Sequence, residues 1–467
     1  MGHQRQRGDQ GWRHRKKTEP AGVPEAGRAA IRETAAAAAG KARAEPAVGT
    51  AADAAVNKAR DAPAAGTAAG RAEHRVPAEL AEAPAGATDA IGDGTVKVYR
   101  NRSIDFLFLC GRDLEINLPV LSLRLEEKAI RRLERDPRAD RFVEAVLEEA
   151  GQAMSVGVRY RGNHNRNYPK RSYDILSAGR IRHFNAEYND PSMIRNALSF
   201  RFMNRIGVPA PRTRFCLLKV NGGPPGVYVE LEAVDRDFFR ERGMDVAMLA
   251  YAENDDAHLG LFYAGTRKRK ASLFEGYRLV IGGEGERRRW ESFIFLLNLL
   301  DGPNLETYLL RHLDVERYLR WLAGAVLTGN EDAFDHNYAV YRDAAGGKYA
   351  FVPWDYEGSW GRDCFGAKTP ADAVRVTGYN RLTARLMGFS SFRRRYRELL
   401  AHILDEHFRE EILVPVIREM LEEILPDLRR TDGNRRPVSS APWELRVMAR
   451  YIRARRKYVL DEIGRLS

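Results

Sequence analysis

Large apolar side chains are almost missing from the first 94 residues and abundant in everything after them, and this break limits where the chain can build a core. From Met1 to about Gly94 the sequence mixes Ala, Gly, Pro, Arg and Glu around one aromatic residue, Trp12. So little hydrophobic burial cannot offset the entropy of ordering a backbone. Residues 1–94 are therefore expected to form a disordered tail, transiently helical at most in runs such as Ala35 to Ala39. The folded body is expected over 95–467, where KVYRNRSIDFLFLC opens a dense mixture of apolar and polar residues.

The body changes character along its length. Its first part, about 95–250, reads as mixed α/β. Phe142, Val146 and Leu147 recur at helical spacing, whereas Val156 to Tyr160 and Ser172 to Leu176 carry the β-branched and aromatic residues of short strands. A helix is expected from Pro191, at a favoured first-turn position after Asp190, with Ile194, Leu198, Phe202 and Ile206 on one face and Gly207 and Pro209 at its end. RFCLLKV and GVYVELE read as strands joined across NGGPP. From about 251 to 467 helices prevail, the last of them basic, from Trp443 to Ile463. The exception is NYAVYRD followed by GGKYAFVPWD, which alternates and turns as a β-hairpin does. The expected fold class is α+β.

A formal net charge of +12, with basic runs at Arg267 to Lys270, Arg287 to Arg289, Arg393 to Arg395 and Arg453 to Lys457, attracts polyanions. No helix-turn-helix, zinc-finger or RNP-like pattern accompanies it, so a nucleic-acid partner rests on charge alone. Three cysteines, Cys110, Cys216 and Cys364, lack the density of a disulfide scaffold and the spacing of a zinc site. No apolar leader follows the basic first residues, and no apolar run reaches membrane-spanning length. A cytoplasmic protein without a membrane span is expected.

The stretch GNEDAFDHNYAVYRDAAGGKYAFVPWDYEGSWG carries the chemistry. Asp332 and Asn337 stand five positions apart, the offset between the catalytic-loop Asp and the metal-binding Asn of protein kinases, and Asp355 follows a strand later. Phosphoryl transfer needs one carboxylate to orient and deprotonate an acceptor hydroxyl and oxygen ligands to hold magnesium against the phosphates. Asp332 suits the first role and Asn337 with Asp355 the second, with Glu357 and Asp335 as auxiliaries. Asp and Asn are also common in turns and caps. A carboxylate after Trp354 at a strand end is harder to explain that way, because it is costly unless paired or bound to a cation. Upstream, Arg159, Arg161, Gly162, Lys170 and Arg171 suit either a phosphate grip or a basic surface hairpin. Neither a Walker A nor a GxGxxG pattern is present.

Four blocks together resemble the CotH kinase family, a divergent branch of the protein-kinase-like fold associated with bacterial spore coats. They are RYRGNHNRNYPKRSYDI, the run from AEYNDPSMIRN to GVYVELE, GNEDAFDHNYAVY and VPWDYEGSWG. The resemblance implies an atypical two-lobed kinase fold, a mixed N-terminal lobe over about 95–250 and a mainly helical C-terminal lobe over about 251–467. It implies Asp332 as the catalytic acid, Asn337 and Asp355 as magnesium ligands, Lys170 and Arg161 as phosphate contacts, and Glu232 as a partner of Lys170 or a neighbour of the nucleotide. It further implies ATP with magnesium, or manganese in its place, and Ser/Thr phosphorylation of Ser-rich coat proteins, with the spore coat as a location. Two features depart from the family. Asn163, His164 and Asn165 stand where a serine or threonine is usual, and the helix from Pro191 to Ile206 holds no acid to pair with the lysine, so that Glu232 or Glu187 would have to substitute. A non-catalytic coat scaffold of the same fold is the alternative reading.

Overall fold

The computed structural model describes residues 96–99, 106–109, 118–431 and 441–466. The tail expected over 1–94, and Cys110, lie outside the described residues. Strands β1 (Val96–Tyr99) and β2 (Phe106–Leu109) form an antiparallel pair. Seven further strands close a barrel: β3 (Val120–Arg124), β4 (Val143–Glu149), β5 (Gln152–Tyr160), β6 (Tyr173–Ser177), β7 (Arg180–Asn185), β8 (Thr213–Val220) and β9 (Gly226–Leu231). Around the barrel the order is β3-β4-β5-β6-β7-β9-β8. Every neighbouring pair is antiparallel except the closing one, where β3 runs parallel to β8 with Val120 opposite Leu217.

Alternation along the strands fills the barrel with Leu121, Leu147, Val158, Ile175, Phe184, Cys216 and Tyr228, and helix α1 (Glu127–Arg135) adds Ala129 and Leu133 to the same cluster. Burying each large apolar side chain there stabilises by about 1.5–3 kcal/mol. The helical reading of Phe142 to Leu147 is overturned, since β4 occupies that stretch. Ala145 and Leu147 face inward while Val146 is 36% exposed, and pairing with β3 on one edge and β5 on the other outweighs the local spacing.

Helix α2 (Arg195–Arg205) begins four residues later than Pro191 suggested. The Asp190 carboxylate accepts hydrogen bonds from the Ser192 and Arg195 amides, both at 2.9 Å, and so folds Pro191 to Ile194 into a turn ahead of the helix. The short helix α3 (Arg236–Arg240) leads to a second sheet of β10 (Val246–Ala252), β11 (Tyr277–Ile281), β12 (Tyr338–Asp343) and β13 (Tyr349–Pro353), ordered β11-β10-β12-β13 and antiparallel throughout. The hairpin read from the sequence is β12–β13, with Tyr338 opposite Pro353.

Among the described residues seven helices complete the body: α4 (Glu284–Leu299), α5 (Gly302–His312), α6 (Val315–Thr328), α7 (Arg381–Leu386), α8 (Ser390–Glu406), α9 (Glu410–Leu428) and α10 (Ala441–Ile463). None among the described residues is long and apolar enough to cross a membrane. Helix α6 is the central one, buried without a break from Tyr318 to Thr328 apart from Arg320. It ends at Gly329, whose φ of 72° places it in the left-handed region, and a Cβ there would collide with the Tyr451 hydroxyl. Gly329→Ala is expected to destabilise by about 2–4 kcal/mol, read by urea denaturation, because backbone strain and steric overlap add.

Candidate active site

Beyond Gly329 the chain makes a tight 3-10 turn, Asp332–Phe334, anchored by buried Ala333 and Phe334. The Asp332 carbonyl closes that turn by accepting the Asp335 and His336 amides at 3.3 and 3.0 Å. Strand β12 starts one residue after Asn337, and its partner β13 ends one residue before Trp354. The Trp354 amide donates to the Asn337 carbonyl at 3.0 Å as the next rung of the hairpin. Asn337 and Asp355 both have left-handed backbones, with φ of 58° and 55°. Such conformations cost about 1–3 kcal/mol each and persist where the surroundings impose them. The ties responsible are Asn337 Nδ2 and Asn330 Nδ2, which donate to the Asp355 carbonyl at 3.0 and 3.3 Å. The hairpin and these amides bring together the ends that carry Asp332, Asn337 and Asp355.

More carboxylates crowd the same place. Glu187, buried between β7 and α2, accepts Asn196 Nδ2 at 3.1 Å, while Asn196 Oδ1 accepts the Tyr356 amide at 3.1 Å. Helix α2 thereby links Glu187 to the backbone immediately after Asp355. Burial, reinforced by Asp190 and by Asp355, pushes Glu187 up to about 8. Burial also raises Glu357 well above the usual carboxylate range, with Asp355 and then Glu187 as the strongest reinforcing charges. Asp332 is raised too, by burial first, with His336 opposing and Glu331 and Asp355 adding to the rise. Burial works to lower His336, but Asp255, 3.0 Å from its Nδ1, and then Asp332 outweigh it, so its affinity for a proton rises.

A cluster of hard oxygen donors whose acids repel one another suits a divalent cation. Among the described residues no three His, Cys, Asp or Glu side chains form a ready-made cation cage. Magnesium in its common pattern takes one or two protein oxygen ligands and shares the ion with phosphate oxygens, and the side chains of Asn337 and Asp355 are of that donor type.

Lys170 sits at one mouth of the barrel, its Nζ donating to the carbonyls of Ala186 and Val227 and lying 4.7 Å from the centre of the Tyr228 ring. The expected pairing of Lys170 with Glu232 is not formed. Lys170 reaches the start of β9, whereas Glu232 follows its end, roughly 16 Å further along at the usual strand rise. The Glu232 carboxylate is instead held by Arg242, at 2.9 and 2.7 Å, and by the Arg212 amide at 2.8 Å. The acid beside Lys170 is Glu187, which directly follows Ala186 and acts on the lysine electrostatically. Arg161 lies on the barrel's outer face. Its Nε donates to Asn185 at 2.8 Å, its Nη1 meets Asp174 and His183, and its guanidinium covers the Trp354 ring at 4.8 Å.

Burial lowers Lys170 from the usual 10.5 to about 7, with Glu187 opposing. Between those values the unfolded chain holds a proton that the folded chain has released, so this group makes stability rise with pH across that window. Urea denaturation at about pH 7 and about pH 9.5 is expected to show the wild type gaining stability relative to Lys170→Met; equal changes in both would refute the depressed value.

Sequence reasoning named Glu187 only as a substitute and passed over Asn196, Asn330 and Asp190. Asn330, in the motif beside Asp332, was the most accessible signal among them.

The CotH kinase protein family model matches residues 158–459. Inner spore coat protein H of Bacillus subtilis (strain 168) is 37% identical over 355 residues, which cover 74% of this chain and 98% of that protein. An inner spore coat protein H-like protein of the same organism is 26% identical over 255 residues, 54% of this chain and 71% of that one. Among solved structures, HipA of the Shewanella oneidensis MR-1 toxin–antitoxin system, in complex with HipB and operator DNA, gives a TM-score of 0.34 at 13% identity, covering 74% of this chain and 73% of that one. The Helicobacter pylori proinflammatory kinase CtkA gives 0.26 at 8% identity, covering 63% and 94%. Both scores are too low for a shared overall fold to be argued from them. The family match runs from β5 through both acidic loops into α10, and the relationship to inner spore coat protein H takes in nearly the whole of that protein. On that ground the chain belongs to the CotH kinase protein family.

Proposed function

We propose that this chain is an ATP-dependent protein kinase that transfers the γ-phosphate to serine or threonine hydroxyls of partner proteins at the spore coat. The observation that carries the reading is the tie between Asn337 and Asp355, two left-handed residues locked at one end of a hairpin that starts just after the Asp332 turn. Their order and offset are those that phosphoryl transfer uses. Membership of the CotH kinase protein family supports the chemistry, and the relationship to inner spore coat protein H supports the location.

In this reading Asp332 takes the proton of the acceptor hydroxyl as it attacks, and its raised proton affinity makes it a better base than an ordinary aspartate. Asn337 and Asp355 would hold magnesium, which when bound offsets the negative charge of the phosphates. Lys170, beside Glu187, would take up a proton when the nucleotide's negative phosphates bind nearby and so supply positive charge toward them. Arg161, with Nε and Nη1 already committed, covers Trp354 and so steadies the residue before Asp355. ATP would lie between a part reaching to about residue 250 and a part from about 251 onward, with Ser-rich coat proteins as acceptors.

Purified protein incubated with labelled ATP and magnesium is expected to label a Ser-rich basic acceptor on serine or threonine, and Asp332→Asn to lower the rate by about 10²–10⁴-fold. No labelling, together with no ATP binding in magnesium or manganese, would leave a non-catalytic coat scaffold.

A further inference from the structure

The last helix of the chain reaches both loops of the proposed site through three residues on one face, Glu444, Tyr451 and Arg455, spaced seven and then four apart as a helical stripe requires. Glu444 is fully buried and lies between two buried guanidinium groups. Its Oε2 accepts Arg195 Nη2 at 2.8 Å and Arg362 Nε at 2.9 Å, and its Oε1 accepts Arg362 Nη2. Both arginines grip the segment after Asp355. Arg195 Nε donates to the Ser359 carbonyl at 3.0 Å, and Arg362 Nη1 donates to the Gly366 carbonyl at 2.7 Å.

The other two residues hold the catalytic side. Tyr451 donates to the Leu327 carbonyl at 3.1 Å and Arg455 Nε to the Val326 carbonyl at 2.9 Å, both in the last turn of α6. Carbonyls at a helix end are short of partners, that of Val326 taking the Gly329 amide at 3.2 Å, so these bonds from α10 help hold the end of α6 from which the Asp332 turn starts. The two loops also meet directly, the Trp360 amide donating to the Thr328 carbonyl at 2.7 Å.

We propose that α10 is a brace that sets the placement of the Asp355 loop against the Asp332 turn, with Glu444 as its positioning residue. The inference deepens the kinase reading and rests on it for its effect on rate, while its effect on loop order can be read without catalysis. Glu444→Gln keeps the shape and removes the charge from the two arginines. In the full-length variant, amide hydrogen exchange at Tyr356, Trp360 and Arg362 is expected to quicken by about tenfold or more, with β5 and β6 in the barrel unchanged. In the phosphotransfer assay kcat is expected to fall by about tenfold or more, while KM for ATP moves by less than about threefold.

Unchanged exchange at those amides, or a uniform rise that includes the barrel, overturns the brace. A fall in activity matched by the fall in folded fraction does the same. If the wild type transfers no phosphate the kinase reading fails, and the exchange data alone then decide the brace. Should Glu444→Gln not fold, Tyr451→Phe decides: faster exchange at the Gly329 and Asn330 amides, with the barrel unchanged, supports the brace, and wild-type exchange there overturns it.

Discussion

Asp355→Asn is expected to lower phosphate transfer by at least about a thousandfold, roughly 4 kcal/mol of transition-state stabilisation, in a protein that melts no earlier than the wild type. The substitution is chosen for what it spares. The Asp355 backbone is left-handed, a conformation asparagine adopts with little strain, and the bonds from Asn337 and Asn330 go to its carbonyl rather than its side chain. Only the charge and one of the two side-chain oxygens able to bind the metal are lost, and a neutral amide oxygen binds it more weakly than a carboxylate. Removing that charge should also ease Glu187 and Glu357, whose raised proton affinities come in part from Asp355. Loss of activity without loss of stability separates a functional carboxylate from a structural one. Activity above a tenth of wild type, with the variant folded, would end the assignment of Asp355 as a metal ligand.

Arg195→Met is expected to destabilise by about 3–5 kcal/mol, because removing one partner of a buried ion pair leaves the other charge uncompensated. Arg195 is fully buried against Asp190 and Glu444, which are buried as completely. Arg362 can still serve Glu444, but Asp190 would keep only the Ser192 hydroxyl and the amides of Ser192 and residue 195. Arg453→Met is the comparison. Arg453 pairs with Glu410 at 2.7 Å on the surface, its side chain 61% exposed, and the change there should stay below about 1 kcal/mol. Urea denaturation of both variants measures the contrast, and a similar cost for the two would remove the buried network as a source of stability.

The proposed site was more legible in the sequence than the fold around it, and the reason is range. The Asp332 and Asn337 offset and the β12–β13 alternation are local patterns, readable within a few tens of residues. Barrel closure is not local, since β3 finds β8 across most of the first half of the body. Without that pairing Phe142, Val146 and Leu147 look helical, and nothing nearby contradicts them. Pro191 misled in a related way: its position suits a helix start, but the Asp190 carboxylate takes the Arg195 amide and delays the helix by a turn. The pairing of Glu232 with Lys170 failed on distance along a strand, which spacing in the sequence cannot place relative to Lys170 until the partner of that lysine is known. Glu187 was within reach, two residues past Asn185 in a block already singled out.

The parallel closure of the barrel also bears on how the protein comes into being on the ribosome. With Val120 paired to Leu217, the barrel cannot shut until the chain through β9 has emerged, and contacts of such long sequence separation form slowly. Until then β3 is an unpaired edge on a nascent chain, open to association with other chains. Slowing translation at a point where β9 has already cleared the ribosomal exit tunnel should therefore raise the soluble yield, whereas a pause while β8 is still inside the tunnel should lower it.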